Sequence, residues 1–235
     1  MNKKKKRHKE NCAKLEEKLY TLNEAVELAI QMKKPKFVES IDLHFRLGID
    51  PKKADQAIRG TVALPHGTGK KIRVLAFASG ADADAAKESG ADFVGYEDLV
   101  KKVKDGWTDF DIAIATPATM REVGKIGRIL GPRGLMPSPK AGTVTQDIGT
   151  AVTEFKSGKV EFRADKQAGI HCPVGKVDFK PEQIVENICA LVGAILKSKP
   201  SASKGTYLQK ISISSTMGPG IHIDPNDAES MTVKK

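Results

Sequence analysis

The sequence lacks any apolar run approaching the ~18 residues that a membrane-spanning helix needs. Apolar residues make up 40 % of its 235 positions, and charged residues interrupt them throughout. The chain starts with Met1 and a run of lysines instead of an apolar segment, so we expect no secretory signal. These features predict a soluble, globular protein of one large or two small domains, with no membrane partner.

Cysteine is scarce as well, since Cys12, Cys172 and Cys189 are the three in the chain and lie far apart in it. Zinc sites need closely spaced cysteine or histidine pairs, and disulfide-rich domains need many more cysteines. We therefore expect no disulfide framework, no metal ion and no other cofactor, and a reducing cytoplasmic compartment.

Aromatic residues are only 5 % of the chain, which argues against a stacking platform for single-stranded nucleic acid. Basic residues outnumber acidic ones by 39 to 29, a net charge of +10, and this favours a polyanionic partner. Six of the basic residues and no acidic one lie within residues 1–9, where we expect a solvated, disordered arm.

Both ends of the chain show the patterns of an α+β domain. Thr21 and Glu24 form a capping box in front of a helix. Residues 41–47 alternate apolar and polar side chains, as in a half-buried strand. The same reasoning predicts a helix from Asp50-Pro51 to Gly60, strands at 61–64, 159–163 and 210–215, and a helix at 181–197.

The middle of the chain has a different pattern. Residues 72–78 and 111–116 are near-continuous apolar runs, typical of strands covered on both faces. Helices are predicted at 81–89, 97–105 and 120–130, with a short strand at 93–96, and this alternation predicts a parallel sheet. We therefore predict two domains, α+β and α/β: an α+β domain formed by residues 1–67 and 158–235, and an inserted Rossmann-like α/β domain at 68–157.

A glycine-rich stretch at the predicted domain boundary resembles a phosphate-binding loop but lacks its spacing. Leu64 stands where the Walker pattern needs a glycine, and the stretch precedes a strand instead of following one. Gly67, Gly69 and Gly158 are better interpreted as a hinge, because glycine permits unusual backbone angles. Two such connections would let the domains open without unfolding.

Residues 124–137 do not match a dinucleotide fingerprint, because their glycines lie within or after the predicted helix. Arg121, Lys125 and Arg128 recur at helical spacing on one face, and Arg133 lies in the loop beyond. This surface is either a nucleic-acid contact or an ordinary solvated basic face.

His171 and Cys172 could suggest a base and a nucleophile. Adjacent residues of an extended strand point to opposite faces, so these two could not pair there, and no third group is placed to orient them. We expect no catalytic residue. The stretch from Asp165 and Lys166 to Lys176 is better interpreted as a polar loop whose two lysines face phosphates.

Residues 214–220, Ser-Ser-Thr-Met-Gly-Pro-Gly, combine hydroxyl groups, a flexible thioether and a rigid turn. Such groups suit the ribose 2′-OH and phosphate groups through which structured RNA is recognised. An ordinary surface turn is the alternative.

Taken together, these stretches resemble the bacterial L-one family of large-subunit ribosomal proteins over nearly the whole chain. The resemblance rests on residues 47–51, 59–70, 127–144, 162–166, 171–176 and 215–218, which occur in the family's order. It implies a non-catalytic protein that binds large-subunit rRNA, forms the mobile stalk at the tRNA exit site and assists the release of deacylated tRNA. It also implies a translational repressor that binds its own mRNA.

The resemblance implies further that the protein is cytoplasmic and ribosome-associated and takes no small-molecule substrate. Its partners would be the ribosome with its rRNA, the exit-site tRNA and its own mRNA. Carried over position by position, the main rRNA-binding surface comprises Lys36, Phe37, Asp165, Lys166, His171, Lys176, Thr216, Met217 and Gly218. The secondary RNA contact comprises Arg121, Lys125, Arg128 and Arg133. Cys172 departs from the family, which commonly has a small non-thiol residue at this position.

Two other functions compete with this interpretation. A nucleotide-dependent enzyme could use the crevice of a doubly wound middle domain. A DNA-binding protein would have the same net charge, and it would bind duplex DNA and RNA with similar affinity.

Overall fold

The computed structural model describes residues 3–32, 34–201, 203 and 205–233. The chain folds into two compact units, Met1–Gly69 with Val160–Lys235, and Lys70–Lys159. None of the described helices is long and apolar enough to span a bilayer. The chain forms a mixed α/β structure with several separate sheets.

The helices, in chain order, are α1 (Lys3–Cys12), α2 (Leu22–Gln31), α3 (Ala81–Glu88), α4 (Glu97–Lys104), α5 (Met120–Val123), α6 (Gly127–Leu130), α7 (Ile148–Ser157), α8 (Pro181–Lys197) and α9 (Pro225–Val233). The strands are β1 (Ser40–Leu47), β2 (Arg59–Ala63), β3 (Val74–Phe77), β4 (Phe93–Gly95), β5 (Ile112–Ala115), β6 (Lys159–Arg163), β7 (Gly169–Lys176), β8 (Leu208–Ser215) and β9 (Ile221–Ile223). Short 3₁₀ turns lie at Ala54–Gln56, Gly124–Ile126 and Pro139–Ala141.

The first unit is built on an antiparallel sheet with the strand order β7-β1-β8-β9. Ile41, Leu43 and Phe45 of β1 are buried, and helices α2, α8 and α9 lie against this apolar side. Every second residue of a strand points to the other side, so the opposite side of the sheet is polar. This outer face carries Asp42, His44, Arg46, His171, Pro173, Lys210, Ser212, Ser214 and His222.

Helix α2 begins with the predicted capping box. The hydroxyl of Thr21 accepts a hydrogen bond from the N–H of Glu24 (3.4 Å), and the Glu24 carboxylate accepts one from the N–H of Thr21 (3.3 Å). The predicted strands at 41–47, 61–64, 159–163 and 210–215 are confirmed to within about two residues, and the helix at 181–197 is confirmed as α8.

The second unit contains a parallel sheet with the strand order β4-β3-β5. Leu75 and Phe77 of β3 pack into an apolar cluster with residues of α4 and the 120–130 segment. Val74 and Ala76 pack on the other side, with residues of α3 and α7. The sheet is therefore covered on both faces, which explains its uninterrupted apolar strands.

The helix predicted from Asp50 to Gly60 is wrong. The chain forms a turn and the 3₁₀ turn Ala54–Gln56, because the side chain of Gln56 folds back to accept the N–H of Asp50 (2.7 Å). Gly60 lies inside β2 instead of ending a helix, and a β-carbon there would lie 2.8 Å from the ring of Phe162.

Two other helical expectations need correction. The helix predicted over 120–130 is divided into α5, a 3₁₀ turn and α6, since Gly124 and Gly127 are weak helix formers. Residues 3–9 of the arm expected to be disordered lie in α1, whose lysines and arginine are good helix formers, and residues 1–2 lie outside the described residues.

The polar loop predicted between Asp165 and Lys176 is largely a strand, because β7 occupies Gly169–Lys176. Only residues 165–168 form a loop. The sequence patterns also missed α7, β9 and α9. Helix α7 begins where the carboxylate of Asp147 accepts the N–H of Thr150 (3.1 Å).

Candidate nucleic-acid interface

A turn at residues 215–218 ends β8 and is held against the start of β1. The hydroxyl of Thr216 accepts a hydrogen bond from the N–H of Ser40 (3.1 Å) and donates one to the Ser40 carbonyl (3.3 Å). The N–H of Thr216 donates to the same carbonyl (3.1 Å). Thr216 therefore fixes the turn, and its hydroxyl already donates one hydrogen bond and accepts another within the protein.

Glu39 holds the next residue of this turn. Its side chain is buried, and its carboxylate accepts a hydrogen bond from the N–H of Met217 (2.8 Å). The carbonyl of Glu39 accepts the N–H of Val177 (3.0 Å), so the same residue joins β7 to the turn. Sequence reasoning missed Glu39, because nothing in the local pattern distinguishes it from a surface carboxylate before a strand.

Three exposed apolar residues adjoin this hydrogen bond, since Phe37 and Val38 directly precede Glu39 in the chain and Met217 is its donor. Met217 is 40 % exposed, Phe37 53 % and Val38 51 %, which is unusual for large apolar groups. Lys36 directly precedes Phe37 and is exposed as well. A flexible thioether and a phenyl ring in such positions can lie against ribose and base surfaces without competing for hydrogen bonds.

Lys176 lies at the same end of the sheet as the turn. It is paired with Ser40 across β7 and β1, and Ser40 is the residue that binds Thr216. The structure thus brings together Lys176, Thr216 and Met217 from distant parts of the sequence.

The centre of the outer face contains a pair of histidines. His171 of β7 is paired with His44 of β1, and their Nδ1 atoms lie 2.8 Å apart. His44 also contacts the hydroxyl of Ser214 (3.0 Å), and His171 lies 3.5 Å from the carboxylate of Asp165. Burial and the neighbouring His171 lower the pKa of His44, although Asp42 partly opposes them.

Asp165 shapes the loop that precedes β7. One of its carboxylate oxygens accepts the N–H groups of Gln167 and Gly169, both at 2.7 Å. The hydrogen bond from Gly169 is the largest cause of the lowered pKa of Asp165. The carboxylate therefore stays ionised and serves mainly to hold the loop.

Lys166 is exposed in this loop, at the end of the sheet opposite to Lys176. Strand β1 runs between the two ends over 8 residues, roughly 23 Å at the usual rise. The two lysines predicted to face phosphates together are thus not close to one another.

The basic residues of the predicted secondary contact belong to the second unit and are exposed. Lys125 is paired with Glu122 (2.6 Å), and Arg133 donates to the hydroxyl of Thr108. The 3₁₀ turn at Gly124–Ile126 alters the helical spacing between Arg121 and Arg128 that the sequence indicated.

The three glycines predicted as a hinge all have positive φ angles, 62° at Gly67, 68° at Gly69 and 115° at Gly158. Gly158 ends α7 in the left-handed conformation. The carbonyl of Gly67 accepts a hydrogen bond from the buried side chain of Asn187 (2.9 Å), and a β-carbon at Gly69 would lie 3.0 Å from the ring of Phe179. These conformations favour glycine, because other residues are strained there.

Cys172 is buried on the inner side of β7, opposite in direction to exposed His171, as the strand geometry predicts. Burial raises its pKa to about 12, so the thiol is a neutral packing group. Among the residues that the structure describes, no three His, Cys, Asp or Glu side chains are grouped to hold a metal ion.

A family model and two related proteins place this chain in the same family. Residues 28–219 match the model of the ribosomal protein L1p/L10e family. The large ribosomal subunit protein uL1 of Kosmotoga olearia is 54 % identical over 207 residues, which cover 88 % of this chain and 90 % of that protein. The protein of the same name from Renibacterium salmoninarum is 54 % identical over 227 residues, covering 96 % and 97 %. The chain belongs to the ribosomal protein L1p/L10e family, whose members are structural and not enzymatic.

Proposed function

We propose that this protein binds large-subunit rRNA through the outer face of its four-stranded sheet and the turn at one end of it. The observation that carries the proposal is the turn at 215–218, locked to β1 by Thr216 and Glu39 while Met217 remains exposed. A rigid turn that presents an apolar group loses little entropy on binding. This is the arrangement expected of a surface that recognises a folded partner by shape.

The chemistry around the turn favours RNA. Lys36 and Lys176 supply positive charge for phosphates, and Phe37 supplies a flat apolar surface. Ser212 and Ser214 of β8 have hydroxyl groups on the outer face, where ribose 2′-OH groups could pair with them. Thr216 and Gly218 act by holding the turn in shape.

The names of the relatives assign them to the large ribosomal subunit. We extend this by proposing that the chain forms the mobile stalk at the tRNA exit site and assists the release of deacylated tRNA. We also propose that it represses translation by binding its own mRNA through the same surface, since an mRNA segment that mimics the rRNA shape would meet the same groups. A cytoplasmic, ribosome-associated location follows from the family.

The domain organisation is part of the proposal. Residues 1–67 and 158–235 would form the RNA-binding domain, and residues 68–157 the inserted domain. Arg121, Lys125, Arg128 and Arg133 would form a weaker second contact, with Lys125 partly neutralised by Glu122. Small-angle scattering with and without RNA tests the hinge, because opening at Gly67, Gly69 and Gly158 would change the radius of gyration without unfolding.

The main experiment measures rRNA binding by the variant Met217→Asp in a filter-binding assay at fixed salt. Placing an unpaired carboxylate against RNA should weaken binding by about 3 kcal/mol or more, with an unchanged melting temperature. Asn23→Asp, at an exposed position of α2, adds the same charge away from the face and should bind normally. Unchanged affinity of Met217→Asp would exclude this site.

A competition experiment addresses the nature of the nucleic acid. Duplex DNA of matched length should compete poorly with the rRNA fragment, because its sugars have no 2′-OH and its grooves differ in shape. Equal competition would favour a DNA-binding or purely electrostatic protein.

A further inference from the structure

Three of the chain's five histidines lie in a single row across the four-stranded sheet. His171 of β7 is paired with His44 of β1, His44 with Ser212 of β8, and Ser212 with His222 of β9. All four side chains are on the outer face, because both neighbours of each in its strand are buried. Adjacent strands are about 4.8 Å apart, so this histidine row is roughly 14 Å long.

The two rings at one end of the row have the geometry of one shared positive charge. If His171 is protonated, its Nδ1 donates to the Nδ1 of His44 (2.8 Å), and its Nε2 faces the carboxylate of Asp165 (3.5 Å). His44 is then neutral, with its Nε2 against the hydroxyl of Ser214 (3.0 Å). A second proton, on the Nδ1 of His44, would have no acceptor there, so the free protein resists it.

The charged groups around this pair come from every neighbouring element. Asp42 lies two residues before His44 on β1, and Asp165 lies in the loop before β7. Arg46 lies two residues after His44 and is paired with Lys210 of β8. These two carboxylates and two cations sum to zero, so the protons on the histidines decide the sign of the charge at the centre of the outer face.

We propose that RNA binding to this face is coupled to proton uptake by the histidine row, so that the affinity rises as pH falls through the range in which imidazole titrates. The inference rests on the proposed function and concerns its regulation. A phosphate oxygen would be the acceptor that a protonated Nδ1 of His44 lacks in the free protein. The ring can then turn away from His171 and take up its second proton from the solvent.

The sign and size of the effect follow from linkage. Burial and then the proximity of His171 lower the pKa of His44 below its usual 6.5 in the free protein, and a neighbouring phosphate raises it. Between these two pKa values the complex holds about one proton more than its free components. The logarithm of the association constant should therefore rise by up to about 1 for each unit by which pH falls. Lysine contacts do not contribute to this dependence, because lysine stays protonated throughout the range.

The test measures the association constant of an rRNA fragment from about pH 8 to about pH 5.5 at constant ionic strength, with the full-length protein. The wild type should gain at least about fivefold in affinity over this range. The double variant His44→Gln/His171→Gln should gain less than half as much on a logarithmic scale. The control His8→Gln removes an exposed histidine of α1 and should keep the wild-type gain, which accounts for any effect of pH on the RNA itself.

A permanent charge distinguishes proton uptake from a merely structural role of the pair. His44→Arg should bind more tightly than His44→Gln at about pH 8, where the wild-type ring is neutral, and should gain less than the wild type on acidification. Melting temperatures at each pH identify any variant that has lost its fold.

The outcomes separate the two proposals. If the double variant gains as much affinity as the wild type, the inference is overturned. If the wild type binds the rRNA fragment with an affinity that does not depend on pH, the proton coupling fails while the proposed function stands. If the wild type does not bind the fragment at any pH, the proposed function itself fails.

Discussion

The imidazole rings of His44 and His171 face each other across β1 and β7, with their Nδ1 atoms 2.8 Å apart. At this distance one Nδ1 must donate a proton and the other must accept it, so the Nδ1 atoms cannot both carry a proton. Ser214 and Asp165 contact the remaining ring nitrogens at 3.0 Å and 3.5 Å. The pair therefore disfavours a second positive charge at the centre of the outer face.

The first prediction concerns the pH dependence of stability. Burial, then the proximity of His171, lowers the pKa of His44 below its usual 6.5, so the unfolded chain takes up a proton more readily than the folded one. The free energy of unfolding should therefore decrease as pH falls below about 6.5. In His44→Gln this decrease should be smaller between pH 7.5 and 5, as measured by urea denaturation. A decrease in His44→Gln as steep as that of the wild type would contradict the prediction.

The second prediction concerns the space at Gly218. A β-carbon at this residue would lie 2.5 Å from the hydroxyl oxygen of Ser215, closer than side-chain atoms can approach. Gly218→Ala should displace the turn, reduce rRNA affinity at least tenfold and cost about 1 to 3 kcal/mol of stability. Gly220→Ala is the matched control, because a β-carbon there would meet nothing within 4 Å.

The double variant Ser215→Ala/Gly218→Ala tests the cause of that loss. Removing the Ser215 hydroxyl makes room for the new methyl group, so affinity should recover towards that of the wild type. If the double variant binds as poorly as Gly218→Ala alone, then steric displacement of the turn is not the reason.

The sequence predicts the elements whose local signals agree with one another. The capping box of Thr21 and the continuous amphipathic pattern of α8 identify two helices, and the strict alternation in β1 identifies its central strand. Strand β7 was missed because Gly169, Pro173 and Gly175 suggest a loop. It is an edge strand, where a proline without an N–H is tolerated, and its tertiary pairing with β1 outweighs the poor local propensity.

The arrangement of the candidate site depends on contacts between distant residues. Thr216 binds Ser40 across 176 positions of sequence, and the carboxylate of Glu39 reaches the N–H of Met217 across 178. No periodicity or spacing contains this information. The sequence could indicate residue types suited to RNA, but not that Lys166 and Lys176 lie at opposite ends of the sheet.

The third prediction concerns Asn187, a fully buried amide on α8. Its side chain donates to the carbonyls of Gly67 (2.9 Å) and Val174 (2.8 Å) and accepts the N–H of His66 (3.1 Å). Asn187→Leu leaves these three backbone groups without partners, and should lower the free energy of unfolding by about 2 to 5 kcal/mol. Urea denaturation with an unchanged m-value checks this. Asn23→Leu, at an exposed position of α2, should change stability by less than about 0.5 kcal/mol.

The fourth prediction concerns Asp111, which joins two cations at the edge of the parallel sheet. Its carboxylate accepts hydrogen bonds from Lys70 Nζ (2.7 Å) and from the N–H and Nε of Arg73 (3.1 Å and 3.2 Å). Chiefly through Lys70, and against the effect of burial, these bonds lower the pKa of Asp111 from 3.8 to about 2. The ionised carboxylate therefore stabilises the folded state above pH 3.8, and this contribution is lost as pH falls towards 2.

Asp111→Asn should be less stable than the wild type by about 1 kcal/mol at pH 7, with the difference closing between pH 4 and 2. Thermal melts over that pH range measure the difference in stability. The control Asp109→Asn changes an exposed carboxylate and should match the wild type. If Asp111→Asn is still less stable than the wild type at pH 2, then packing and not charge is responsible.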